Sequence, residues 1–217
     1  MTFTKIQMAL AATLVALLGA GCASGPSAAE QDRQALDVIR SAFSDMGIAK
    51  VDRLQQDAAN EACSRAHDNP TPDVAKAIEV AQRKTIKLPA DGNYLGNWKA
   101  GEELAQSGKG LTWSDKSAAT KENGGNCYNC HQLTKAEISF GTIGPSLYNY
   151  GKLRGVTDPK SAEAKPMVEY TWGKLWNARA YNACSNMPRF GHNGILDEGQ
   201  LRDIMALLLD PKSSVNQ

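Results

Sequence analysis

The chain has 217 residues, with 24 Lys and Arg against 23 Asp and Glu, a formal net charge of +1 and 6% aromatic residues. That length suits one domain, or one domain with an appendage. The charge balance excludes the basic excess of a nucleic-acid binder and the acidity of a disordered tail, so charge names no partner.

Residues 1–22 read as a bacterial export signal: Lys5 precedes an apolar run from Met8 to Leu18, and small residues lead to Cys22. The run is shorter than the roughly 20 residues needed to cross a bilayer. Its removal takes away Lys5 and no acid, leaving a balanced mature chain expected in the periplasm, where disulfides persist. Two cleavages fit. Leu18-Gly19-Ala20-Gly21-Cys22 is similar to a lipoprotein box, in which Cys22 would be acylated and would tether the domain through the Gly, Pro and Ser residues that follow. Gly21 and Ala23 equally suit ordinary cleavage near Ala23. Membrane association is expected only if Cys22 is acylated.

Residues 23–92 are expected to form a linker and an N-terminal helical extension. Leu36, Ile39, Ala42, Phe43 and Met46 recur at helical spacing, and Gly47 can end that helix. A second helical stretch is expected over 49–68, and a third opens with Thr71 as N-cap and Pro72 at the first position. In residues 93–217 a helix is expected from Asn97 to Gly108. The region between Cys130 and Trp172 carries Gly141, Gly144, Pro145, Gly151, Gly155, Pro159 and Pro166, and reads as loop. Helical pattern resumes over 169–184, with Tyr170, Trp172, Trp176 and Tyr181. A last helix opens at Asp197 with Gln200 in capping-box position and stops at Pro211. No repeat and no period-two run occurs, so the fold class is mainly α.

Cys127, Cys130 and His131 form a Cys-x-x-Cys-His motif. Two thiols at this spacing can add to the two vinyl groups of one haem c, with the adjacent imidazole beneath the iron. A structural zinc usually needs a second ligand pair, and here only the isolated Cys63 and Cys184 remain. A redox dithiol is expected at a strand-to-helix turn of an α/β chain, which this is not. Covalent attachment of a single haem is the reading that uses all three residues.

A second axial ligand must come from His67, His192 or a methionine. Met187 precedes Pro188 in a loop before the last helix, and its soft thioether would raise the reduction potential. His192 competes, but Gly191 and Asn193 flank it; His67 reads as a surface residue, and Met46 and Met205 as core. Arg189 reads as solvated. Cys63 and Cys184 are an even pair in an exported chain and are expected to form a disulfide between the N-terminal helices and the methionine loop, the alternative being two free buried thiols.

In the order of its parts, residues 97–211 resemble the class I cytochromes c: a first helix, the haem motif, Gly141 to Leu147, the methionine loop and a closing helix. The resemblance implies that the Pro145 carbonyl accepts a hydrogen bond from His131 Nδ1, and that Gly101 lies where the terminal helices cross, with Ile204 and Leu208 where an aromatic is more usual.

The block from Tyr181 to Leu196, with its Met-Pro-Arg-Phe-Gly-His core, and the residues around Cys127 are similar to the SoxX family, monohaem subunits of the SoxAX complex of sulfur oxidation. That resemblance implies an electron-accepting subunit of an L-cysteine S-thiosulfotransferase, partnered by a SoxA-like cytochrome, the SoxYZ carrier, a downstream electron acceptor and, in some complexes, a small third subunit. It implies no catalytic residue on this chain. The other reading is a free-standing periplasmic or lipid-tethered carrier.

Overall fold

The computed structural model describes residues 25–217. The export signal, Cys22 and both cleavage sites lie outside the described residues. The chain divides into two compact units at 44/45, not at 92/93, so residues 45–92 belong to the same unit as the motif. In the first unit, α1 (Ala28–Ala42) is capped by the Ser27 hydroxyl, which accepts from the Glu30 N–H, and none of its residues is buried. It ends before Phe43, short of the expected Gly47. In the second unit, the Met46 and Ala49 backbones pair with each other at 2.9 Å in both directions around Gly47, whose φ of +53° suits a residue without a Cβ.

The second unit contains α2 (Ala58–Arg65), α3 (Pro72–Arg83), α4 (Trp98–Gln106), α5 (Tyr150–Leu153), α6 (Lys165–Trp176) and α7 (Glu198–Leu209). The helix expected over 49–68 is divided into a 3-10 turn, Val51–Leu54, and α2. The division falls at Asp57, whose side chain caps α2 by accepting the Asn60 N–H, a role that requires extended backbone at the cap. Helix α6 starts before the expected stretch because Pro166 sits in its first turn, where a missing N–H costs nothing. Helix α7 has both halves of the capping box between Asp197 and Gln200. Among the described residues there are no strands, only the isolated Met46–Ala49 bridge, and no helix is long and apolar enough to cross a membrane.

Helices α4 and α7 cross at Gly101. A Cβ there would lie 2.2 Å from the Asp203 carbonyl oxygen and 3.1 Å from Leu207 Cβ, so only glycine permits the approach. The atoms nearest Gly101 belong to Asp203 and Leu207, and Ile204, Leu207 and Leu208 are all buried in the main cluster. The Asn97 N–H donates to Asp203 Oδ1 at 2.7 Å, tying the start of α4 to α7. The main apolar cluster gathers Leu133, Tyr150, Val168, Trp172, Leu201 and Val215, among others. Its far side is closed by the C-terminal residues: Asn216 Nδ2 donates to the Leu208 carbonyl, and Asn216 Oδ1 accepts the Gly151 N–H.

A second, smaller cluster joins Ala59, Cys63 and Ile78 of α2 and α3 to Ala183, with Ala62, Ala75 and Cys184 at its edge. Residues 82–87 connect the two clusters by polar bonds to α6 and the residue after it. Trp172 Nε1 donates to the Lys87 carbonyl at 2.8 Å, Trp176 Nε1 to the Thr85 carbonyl at 3.0 Å, and Asn177 Nδ2 to Gln82 Oε1 at 2.9 Å. Buried indoles need such acceptors.

Candidate functional site

The Cys-x-x-Cys-His motif winds through a 3-10 turn, Cys127–Asn129, entered from Asn126 in the left-handed region, which asparagine tolerates better than most residues. The His131 N–H bonds the Cys127 carbonyl at 2.9 Å, so the two thiols and the imidazole leave a single tight turn. Both thiols are free. Burial, with Cys130 beside it, pushes the Cys127 thiol up to about 12.

Residues 141–147 run against the motif. The Gly141 N–H donates to the Tyr128 carbonyl, the Gly144 N–H to the Cys130 carbonyl and the Leu147 N–H to the Gln132 carbonyl, at 2.7 to 2.8 Å. The His131 Nδ1–H donates to the Pro145 carbonyl at 2.7 Å. That bond fixes the tautomer and leaves Nε2 with its lone pair available to a metal. A Cβ on Gly144 would lie 2.1 Å from His131 Cε1 and 2.4 Å from Nδ1, so the ring lies against bare backbone that no other residue could supply. Nearby in sequence, Ile138 and Ile143 are 98% and 76% exposed and Phe140 is also exposed. Exposed apolar side chains of this size in or next to the segment that runs against the motif, with two free thiols and an imidazole whose Nε2 is uncommitted, suit a large, flat apolar group with a metal at its centre.

Met187 is half-buried at the edge of the main cluster, as are Cys127, Leu147 and Ile195, and its N–H donates to Ser185 Oγ at 3.2 Å. His192 is exposed; partial burial, then the Arg189 charge, lowers its pKa. His67 is exposed at φ +49° in the turn after α2. Met205 is fully buried on α7, whereas Met46, expected in the core, is 52% exposed, in keeping with α1 before it, none of whose residues is buried.

Cys63 and Cys184 are joined by a disulfide across 121 residues. The group formed by these two sulfurs and Asp68 is therefore no metal site. Arg189 differs from expectation: it is 7% exposed, with Nη2 2.5 Å from Asp57 Oδ2 and Nη1 3.2 Å from Gln82 Oε1. Nothing local in the sequence marks it, because its partners lie 132 and 107 residues upstream. Asn123 has no sequence mark either. Buried just before the motif, it donates from Nδ2 to the Ile195 carbonyl at 2.8 Å, and its own carbonyl accepts from Gln200 Nε2, so it connects the approach to the motif with the residues after the methionine loop.

The Cytochrome c family profile matches residues 116–211. Over 168 residues the chain is 38% identical to an uncharacterized lipoprotein of Aquifex aeolicus (strain VF5), with 74% of each chain covered.

Proposed function

Residues 116–211 match the cytochrome c family, and on that premise we propose that the chain is an exported electron-transfer protein with one haem, bonded through Cys127 and Cys130 and ligated by His131 and Met187. A c-type haem supplies a one-electron ferric–ferrous couple. The observation that carries the proposal is the 2.7 Å bond from His131 Nδ1 to the Pro145 carbonyl, which orients the imidazole and strengthens Nε2 as a donor. Gly144 leaves the ring space on its backbone face. Addition of the Cys127 and Cys130 thiols to two vinyl groups would make each sulfur a thioether. The Met187 thioether favours the reduced state. The relation to a lipoprotein supports acylation of Cys22; the mass of the mature N-terminus distinguishes this from cleavage near Ala23.

The test is optical. Protein matured in a haem-attaching host should show a far-red sulfur-to-iron charge-transfer band in the ferric state, lost in Met187→Ala and retained in His192→Ala. Absence of the band from the parent, or its persistence in Met187→Ala, would remove Met187 from the site.

Within the family, the Met187 to His192 block supports a SoxX-like role. In that role the chain accepts the two electrons released, one at a time, when a SoxA-like partner joins thiosulfate to the SoxYZ carrier cysteine, and passes them to a downstream acceptor. The bond-making groups would lie on the partner, and a small third subunit would complete the complex where one occurs. The experiment is co-purification with genomic neighbours, followed by thiosulfate-dependent haem reduction with SoxYZ. A protein that always elutes alone and stays oxidised fails it. One structural feature favours the second reading, a free-standing tethered carrier: residues 45–92 are engaged on this chain's own α6 and methionine loop, so the length beyond a minimal haem domain does not require a partner.

A further inference from the structure

Met187 and Pro188 lie between two tethers that reach the same upstream segment. Three residues before Met187, Cys184 is bonded to Cys63 on α2. Two residues after it, the Arg189 guanidinium meets Asp57 and Gln82, at the start of α2 and near the end of α3. Asp57 serves two ends at once: Oδ1 accepts the Asn60 N–H at 2.8 Å and caps α2, while Oδ2 takes Arg189. Gln82 Oε1 is shared between Arg189 and Asn177 Nδ2. A guanidinium this buried is tolerable only while paired, so the loop cannot shift across α2 and α3 without breaking the pair.

We propose that the Cys63–Cys184 disulfide and the Arg189–Asp57–Gln82 contact form a two-point clamp that holds the Met187 thioether in its ligating position, with Arg189 as the positioning residue. This rests on the reading of Met187 as the axial ligand. A loop fixed at both ends has few conformations to gain by releasing its middle, so the thioether leaves the metal rarely and returns quickly. The N-terminal helices are thereby a part of the site, although none of their side chains is expected to touch the haem.

The experiment measures the rate at which excess cyanide binds the ferric holoprotein, which reads how often the thioether leaves the iron, together with the far-red band and Tm. Asp57→Asn keeps a good N-cap for α2 and removes the charge partner of Arg189. Cys63→Ser with Cys184→Ser removes the other tether. Val215→Ala, in the buried C-terminal turn, is a control that lowers Tm without touching either. Each clamp variant is expected to bind cyanide at least about tenfold faster, the factor given by loss of one charge-assisted hydrogen bond or one loop constraint. The control is expected to bind at the parental rate. Parental rates in both clamp variants, or equal acceleration in the control, would overturn the clamp. A parent without the far-red band would instead remove Met187 as ligand, and the clamp with it.

Discussion

The two apolar clusters of the second unit are held by different means. The main cluster is filled by large side chains, including Trp172, Leu133, Leu201 and Leu209 at almost no exposure, and its stability comes from area removed from water. The smaller one is chiefly alanine, with Ile78 as its only large side chain, and a buried methyl contributes only about 0.8 kcal/mol. It is completed by a disulfide and by a charge pair from Arg189. Where helices pack through alanines the backbones come close and little apolar area is available. Directional and covalent links then fix the register, and that register places the loop around Met187.

Removing the disulfide with Cys63→Ser and Cys184→Ser tests this contrast most severely. The chain-entropy model gives a loss of roughly 4 to 5 kcal/mol for a loop this long. Urea unfolding should show that loss, and amide exchange should quicken first in 58–83, before α4 and α7. Uniform quickening would mean that the two clusters unfold as one. Trp172→Ala should cost about 3 to 5 kcal/mol by cavity formation and should spread through the whole unit. Ile78→Ala should cost less, about 2 kcal/mol, because the site can collapse around small neighbours; a larger loss would make the small cluster a true core.

The smallest expected effect is that of pH. Burial acts to raise the Asp57 carboxyl, but the Asn60 N–H and the Arg189 guanidinium outweigh it and hold the pKa below its ordinary 3.8. A lowered carboxyl contributes its stability above the unfolded value and loses it as pH falls through the folded one. Parent protein should therefore lose up to about 1 kcal/mol more than Asp57→Asn on going below about pH 4, a discounted figure because the carboxylate is part-exposed. Equal acid sensitivity would show that the pair adds nothing to stability.

Features that depend on near neighbours along the chain are legible in the sequence alone. The capping box at Asp197 and Gln200, Pro72 opening α3, the Cys127-Cys130-His131 turn and the mainly α class all follow from contacts within a few residues. Local pattern also misleads: the apolar spacing from Leu36 to Met46 continues past the end of α1, where the backbone turns extended at Phe43 and no residue of the helix is buried.

What only the tertiary structure decided lies at long range. The sequence determined that two thiols and an imidazole would leave one turn, since spacing along a chain is enough to set that geometry. It could not show that Arg189 is buried against Asp57 and Gln82, that Gly101 meets Asp203 and Leu207, or that residues 45–92 pack with the haem motif's own unit. Each of these depends on which helix faces which, and a charged loop residue has no sequence mark until the fold supplies its partner and removes its water.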